Sequence, residues 1–207
     1  MWRRKIKTLL HLYLERNKFV NPVKNIKGKK FEVNNQTLSI FVLNNLLPVV
    51  GLSPFPLNEL LLMSAAICRI KPTYVFEWGT NIGTSARIFY ETSKKFSLDV
   101  KIHSIDLPDD VYHSEHPGEK RGMLVKKCEN VILHTGDGLD TAIEAAKSFE
   151  KDATYLFFLD GDHSYTSVYR KLTGIVDNFI SPCILIHDTF FQSSGAGYNV
   201  GPNDVIK

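Results

Sequence analysis

The sequence predicts an α/β chain of Rossmann-like, three-layer architecture built on a mainly parallel sheet. Three observations carry this expectation. Five short apolar runs, at 73–78, 101–107, 131–135, 155–160 and 183–188, alternate with helical stretches; such alternation marks βαβ units whose sheet is covered on both faces. A glycine turn, Gly79 to Gly83, follows the first run. Acids stand where the runs end, namely Glu77, Asp106, Asp137 beside Gly136, Asp160 with Asp162 and His163, and Asp188 beside His187. Ligands of an open parallel sheet gather at the carboxyl ends of its strands, so a charged rim there predicts a polar ligand, a metal ion or both.

In chain order, residues 2–19 place Ile6, Leu9, Leu10, Tyr13 and Leu14 at helical spacing with Arg and Lys opposite, which predicts a basic amphipathic helix. Residues 21–30 hold Pro22 and Gly28 among lysines and read as a linker. Residues 31–55 mix apolar runs with Asn and Pro and carry no single period. LNELLLMSAAICR at 57–69 predicts a helix, with Asn58 as its cap and Pro72 past its end. Helices are then expected at 84–95, 118–128, 139–149 and 165–179, between the five strands. The organisation is a basic N-terminal helix and linker region, 1–56, followed by a Rossmann-like domain, 57–207.

Composition narrows the function. Of 207 residues 43% are hydrophobic and 23% charged, enough apolar content for a packed core and too much for disorder. The formal charge of +3 hides a split. Residues 1–30 hold ten Lys/Arg against Glu15 alone, and the other 177 carry 15 Lys/Arg against 21 Asp/Glu. The domain is therefore acidic, and nucleic acid is not its expected partner. The basic helix is a candidate for contact with an anionic membrane surface or a partner subunit. No apolar run is long enough to span a bilayer, and LLHLYL leads into Glu15, Arg16 and Lys18 rather than small cleavage-site residues. Cys68, Cys128 and Cys183 are odd in number and far apart, as expected of reduced, cytoplasmic thiols.

The chemistry concentrates in four places. FEWGTNIG gives E-x-G-x-x-x-G over Glu77, Gly79 and Gly83; the glycines permit a tight turn and a close backbone approach, but the G-x-G-x-x-G of diphosphate-binding sites is absent. Asp106, 27 positions after Gly79, is placed to accept the hydroxyls of a ribose. Gly136-Asp137-Gly138 offers a close approach and one acceptor suited to an adenine amino group. LDGDHSY (159–165) and IHDTF (186–190) bring carboxylates and imidazoles to adjacent strand ends, a donor set able to hold a divalent ion such as Mg²⁺ or Mn²⁺.

On these residues, EWGTNIG (77–83) resembles motif I of class I S-adenosylmethionine-dependent methyltransferases. LDGDHSY with IHDTF is similar to their small bacterial branch, related to macrocin-type O-methyltransferases and cephalosporin-hydroxylase-like proteins. The resemblance spans roughly 57–190. It implies S-adenosylmethionine as cofactor, with Glu77, Gly79 and Gly83 shaping the methionine pocket, Asp106 on the ribose and Asp137 near the adenine. Thr80, Thr84, Gly136 and Asp160 complete the cofactor-binding set. It further implies Asp160 and Asp188 as ligands of a divalent metal and Asp162 as base, with His187 a rival base because it stands where relatives carry an acid. The implied reaction is O-methylation of a hydroxyl on a sugar or small metabolite, with Tyr112, His113, His116 and Tyr165 as candidates to line the acceptor site. Relatives add an antiparallel strand pair after the fifth strand. Here that pair is expected to be missing, incomplete or supplied by a partner subunit, which makes a homo-oligomer a candidate state. Two other readings stay open: a metal-dependent hydrolase or oxygenase using the Asp/His cluster, and a non-catalytic cofactor-binding protein.

Overall fold

A computed structural model describes residues 35–112, 117–190 and 200–207. The expected helix at 2–19, the linker at 21–30 and the loop residues His113 and His116 lie outside these. The described residues fall into two compact units, parted between Arg69 and Ile70, whereas the sequence suggested a boundary after residue 56.

The first unit is helical. Helix α1 (Asn35–Phe41) runs through a π-helical turn at Val42–Leu46 into the short helix α2 (Leu47–Val50). The Leu47 N–H reaches back to the Val42 carbonyl, one residue before Pro48, which offers no N–H to continue an α ladder. This interruption is why no single period is legible there. Helix α3 (Leu57–Ile70) is capped by backbone rather than by Asn58: the Glu59 and Leu60 N–H groups both donate to the Pro56 carbonyl.

The second unit carries the sheet. Strands β1 (Tyr74–Trp78), β2 (Lys101–Asp106), β3 (Val131–Thr135), β4 (Tyr155–Leu159) and β5 (Cys183–Ile186) lie in the order β3-β2-β1-β4-β5, all parallel. Helices α4 (Thr84–Lys95), α5 (Gly138–Ala146) and α6 (Tyr165–Asn178) connect them, and α7 (Gly201–Val205) follows. This is the expected three-layer Rossmann-like architecture. Among the described residues no strand follows β5.

Alternation along the strands divides the core. Tyr74, Phe76 and Trp78 share one face with Ile105, Phe157 and Leu159 and pack against Leu139 and Ala142 of α5 and Ile175 of α6. Val75, Glu77, Ser104 and Phe158 point the other way, where Phe89 of α4 meets Phe158 edge-on. The strand order reverses between β1 and β4, so the ends of these two strands frame the position where such sheets bind ligands.

The expected helix at 118–128 is not formed. A single 3₁₀ turn (Gly118–Lys120) leads into a series of turns, with Gly118 and Gly122 both at positive φ. The Gly122 and Leu124 N–H groups donate to the carbonyls of Asn81 and Ile82. The segment pins itself to the turn after β1 instead of closing an intrahelical ladder.

One core feature predicts a pH dependence. His103 on β2 stacks on His134 of β3, with Nδ1 2.9 Å from Nε2, and its ring also meets Tyr74, Phe76 and Phe149. Burial first, then the nearby His134 and Lys101, press the His103 pKa down to about 4. The unfolded chain takes up this proton near the ordinary value of 6.5, whereas the folded chain resists until about 4. Stability is thus full above pH 6.5 and falls as pH drops through that window, by on the order of 2–3 kcal/mol from this group. Urea midpoints at pH 7.5 and pH 5 check it: His103→Phe should lose clearly less between the two than wild type, and equal losses contradict the assignment.

Candidate functional site

The site begins with the turn after β1. Gly79, Asn81 and Gly83 lie at φ +97°, +44° and +92°, a run that L side chains rarely sustain. Four of the five turn amides are satisfied within the protein: Gly79 N–H on the Ile105 carbonyl, Asn81 N–H on Asp106 Oδ2, Ile82 N–H on Asn81 Oδ1, and Gly83 N–H on the Thr80 carbonyl. The turn is therefore no nest for a phosphate. It is a rigid saddle whose ligand-facing chemistry comes from the acids around it.

Glu77 is fully buried beneath this saddle. Its Oε1 accepts a 2.5 Å hydrogen bond from Ser104, whose hydroxyl meets Thr80 Oγ1 at 2.7 Å. Burial pushes the Glu77 carboxyl up to about 7 against the opposing hydrogen bonds of Ser104 and Ser85, with Asp160 and Asp106 adding repulsion. Thr80 and Thr84 are buried, the first in this hydroxyl chain, the second opening α4; Gly83 is the cap residue of α4.

At the end of β2, Asp106 accepts N–H groups from Asn81 and Leu107, and the Arg121 guanidinium lies 3.8 Å from it. Arg121 also pairs with Asp109 at 3.0 Å and donates to the Leu107 carbonyl. Sequence reasoning missed Arg121, because it falls where a helix was expected and no local motif marks it.

Gly136, at φ +144°, donates to the Asp106 carbonyl. Asp137 is engaged within the protein. Its Oδ1 accepts the Asp140 N–H as the cap of α5, and its Oδ2 accepts from Arg170 at 2.7 Å. Burial raises this carboxyl, but the Arg170 and backbone hydrogen bonds outweigh it and leave it below the ordinary range. It serves as helix cap and ion-pair partner.

The ends of β4 and β5 hold the densest chemistry. Asp160 Oδ1 lies 2.9 Å from His187 Nδ1 and 3.6 Å from His163 Nε2. Asp188, at φ +53°, brings Oδ2 to 3.6 Å from His163 Nδ1 and 3.5 Å from His187 Nδ1. Burial raises the Asp160 carboxyl, yet the two imidazoles prevail and hold it below the usual carboxylate value. Asp162 is not part of this group, although its spacing suggested that it would share a side with Asp160. Its carboxylate folds into a local turn, accepting the Ser164 N–H at 2.9 Å and the Ser164 hydroxyl at 3.1 Å. Burial raises its pKa, but these bonds and the nearby Lys171 bring it below the ordinary value. Lys171, itself buried and lowered by that burial, donates to the Asp162 carbonyl at 3.4 Å and steadies the loop.

His163 is held from below. A Cβ on Gly201 would stand 2.1 Å from the His163 carbonyl oxygen, so the start of α7 is packed directly against the turn that carries this ring. Of the residues suggested for the acceptor site, Tyr112 is exposed and Tyr165 opens α6, half exposed.

A glycine saddle at the β1/β4 switch point, an acid closing β2 and satisfied turn amides define a Rossmann-like domain for a nucleoside cofactor that lacks a diphosphate. Residues 76–189 match the family described as a methyltransferase domain, and the chain belongs to that family. Membership makes S-adenosylmethionine the cofactor this rim has to fit. Its donor set suits that molecule: carboxylates for a ribose diol and for a sulfonium charge, and no spare amide cradle for phosphate. Among solved structures, the apo form of CalS11, a TDP-rhamnose 3'-O-methyltransferase of calicheamicin biosynthesis, is 17% identical over 83% of this chain and 82% of its own, with a TM-score of 0.53, a likeness of fold. A structure described as cmcI-N160 SAH is 17% identical, covering 68% of this chain and 71% of that one, with a TM-score of 0.49. No curated protein matches the chain. No helix among the described residues is long and apolar enough to cross a membrane.

Proposed function

We propose that the chain is an S-adenosylmethionine-dependent O-methyltransferase acting on a hydroxyl of a sugar or small metabolite. The observation that carries this reading is the placement of the Asp160–His163–His187 group at the end of β4 and β5, next to the switch point where Gly79 abuts Asp160. S-adenosylmethionine supplies a methyl group on a sulfonium sulfur that is its own leaving group. Asp106 accepts the ribose hydroxyls, and the saddle from Gly79 to Gly83 orients the rest of the cofactor. The acceptor hydroxyl sits at the Asp160–His163–His187 group and gives up its proton there as its oxygen forms the new C–O bond and the C–S bond breaks. Most of the rate comes from holding the two reactants in line and from this proton acceptance. A small metabolite or glycan acceptor is supported by the rim being polar and acidic, and contact of the basic 2–19 segment with an anionic surface is supported by its charge.

Calorimetry with S-adenosylhomocysteine tests the cofactor half. Wild type should bind one equivalent, and Asp106→Ala, checked for folding by circular dichroism, should bind at least tenfold more weakly. A wild type that does not bind, or an Asp106→Ala chain that binds equally well, overturns the reading. The acceptor half is tested by mass spectrometry of glycan and metabolite pools incubated with methyl-labelled S-adenosylmethionine.

A further inference from the structure

The family resemblance implied a divalent metal on Asp160 and Asp188, with Mg²⁺ or Mn²⁺ as the ions suggested. The donors that converge in the structure are different: one carboxylate oxygen of Asp160 and ring nitrogens of His163 and His187, all within 4.8 Å of one another. Mg²⁺ demands a near-octahedral shell of oxygens, whereas imidazole nitrogen suits later divalent ions. The residues present do not fit Mg²⁺.

We propose that Asp160, His163 and His187 form a site for one divalent transition-metal ion of the Mn²⁺, Fe²⁺ or Zn²⁺ class, with Asp188 orienting the His163 imidazole from behind. Two ligand atoms sharing an ion at about 2.1 Å stand about 3.0 Å apart at a right angle and about 3.4 Å apart at a tetrahedral one. The separations from Asp160 Oδ1 are 2.9 Å to His187 Nδ1 and 3.6 Å to His163 Nε2. All three side chains are at most 19% exposed, so few waters compete for them. The Asp188 carboxylate faces His163 Nδ1 at 3.6 Å while Nε2 of the same ring faces Asp160. A carboxylate behind a ligating imidazole fixes its tautomer and raises its basicity. The sequence places these groups by fold alone: Asp160 and His163 leave β4 one turn apart, and His187 follows β5, whose pairing with β4 sets Leu159 opposite Ile186.

The inference deepens the proposed function and rests on it only for its purpose: an ion there would be a Lewis acid at the acceptor end of the site, with His187 a ligand rather than a free base. Its existence is tested separately. The full chain, stripped with chelator and dialysed, is titrated calorimetrically with Zn²⁺, Mn²⁺ and Mg²⁺, and pulsed electron paramagnetic resonance of the Mn²⁺ form reads coupling to ¹⁴N. Expected are one equivalent of Zn²⁺ or Mn²⁺ bound at least 100-fold more tightly than Mg²⁺, imidazole ¹⁴N coupling in the wild type, and loss of tight binding in His163→Ala and His187→Ala. Mg²⁺ binding as tightly as Zn²⁺, absent ¹⁴N coupling, or both histidine variants binding as wild type does overturns the inference. The nitrogen coupling is measured on wild type, so it decides even if a variant fails to fold. S-adenosylhomocysteine binding to the stripped protein separates the two ideas. If it persists while metal binding fails, only the metal site falls. Tight metal binding without any S-adenosylhomocysteine binding sinks the methyltransferase reading and leaves the site standing.

Discussion

A His187→Ala chain is expected to keep its affinity for S-adenosylhomocysteine and to lose about 10²- to 10⁴-fold in kcat for methyl transfer, because the Asp160–His163–His187 group proposed to receive the acceptor's proton, with or without an ion on it, loses a member. The reason is positional. The His187 N–H donates to the Leu159 carbonyl, which extends the β4–β5 pairing one residue and sets the ring over the end of β4, with Nδ1 2.9 Å from Asp160 Oδ1. Asp106, proposed to hold the ribose, is anchored separately by the Asn81 and Leu107 N–H groups and by Arg121, so cofactor affinity should be insensitive to the change. Asp162→Ala is the matching comparison. Its carboxylate caps its own turn through Ser164, and its loss should lower stability by about 1 kcal/mol while leaving kcat within a few-fold. Methyl-label transfer rates and thermal melts of the two variants check this, and the reverse ranking, with Asp162→Ala inactive and His187→Ala active, returns the base to Asp162.

The separation of Asp162 from Asp160 shows what the sequence holds and what it leaves out. Strand positions were legible because each strand is a short apolar run bounded by polar turns: Val131–Thr135 matches to the residue, and the other four differ by one or two at an end. The rim was legible because a parallel sheet sends every strand's carboxyl end to one edge. Side-chain direction within the rim was not. Asp160 and Asp162 have the spacing of same-side strand residues, but β4 ends at Leu159, and beyond it the chain turns, so period-two alternation no longer applies. His163 stood in the motif, yet only the fold reveals that its two nitrogens face Asp160 and Asp188, residues on different strand ends. The turns at 118–128 read as helix from their place between the second and third strands, while the deciding partners, the Asn81 and Ile82 carbonyls, lie some 40 residues away and leave no local trace.

Gly79→Ala is expected to be among the most damaging small substitutions in the chain, lowering stability by about 2–4 kcal/mol and S-adenosylhomocysteine affinity by at least tenfold. Two costs combine. The first is conformational: φ is +97°, where a Cβ is strained in any surroundings. The second is contact: the new Cβ would stand 2.3 Å from the Asp160 carbonyl oxygen and 3.1 Å from its carbon. That carbonyl has little room to retreat, since the Asp160 N–H is bonded to the Trp78 carbonyl and β4 is paired with β1 along its length. The ends of β1 and β4 must therefore part, and that motion carries Asp160 away from His163 and His187 as it opens the saddle. Gly51→Ala separates the two costs. Gly51 lies at φ +74°, ψ −163° with nothing within 4 Å of a built Cβ, so it pays the strain without the collision. Denaturant midpoints should place Gly79→Ala below Gly51→Ala, and only Gly79→Ala should weaken calorimetric S-adenosylhomocysteine binding. Equal midpoints with unchanged binding would remove the β1–β4 contact from the basis of the site, because a cofactor lying across that switch point has to feel its two walls move apart.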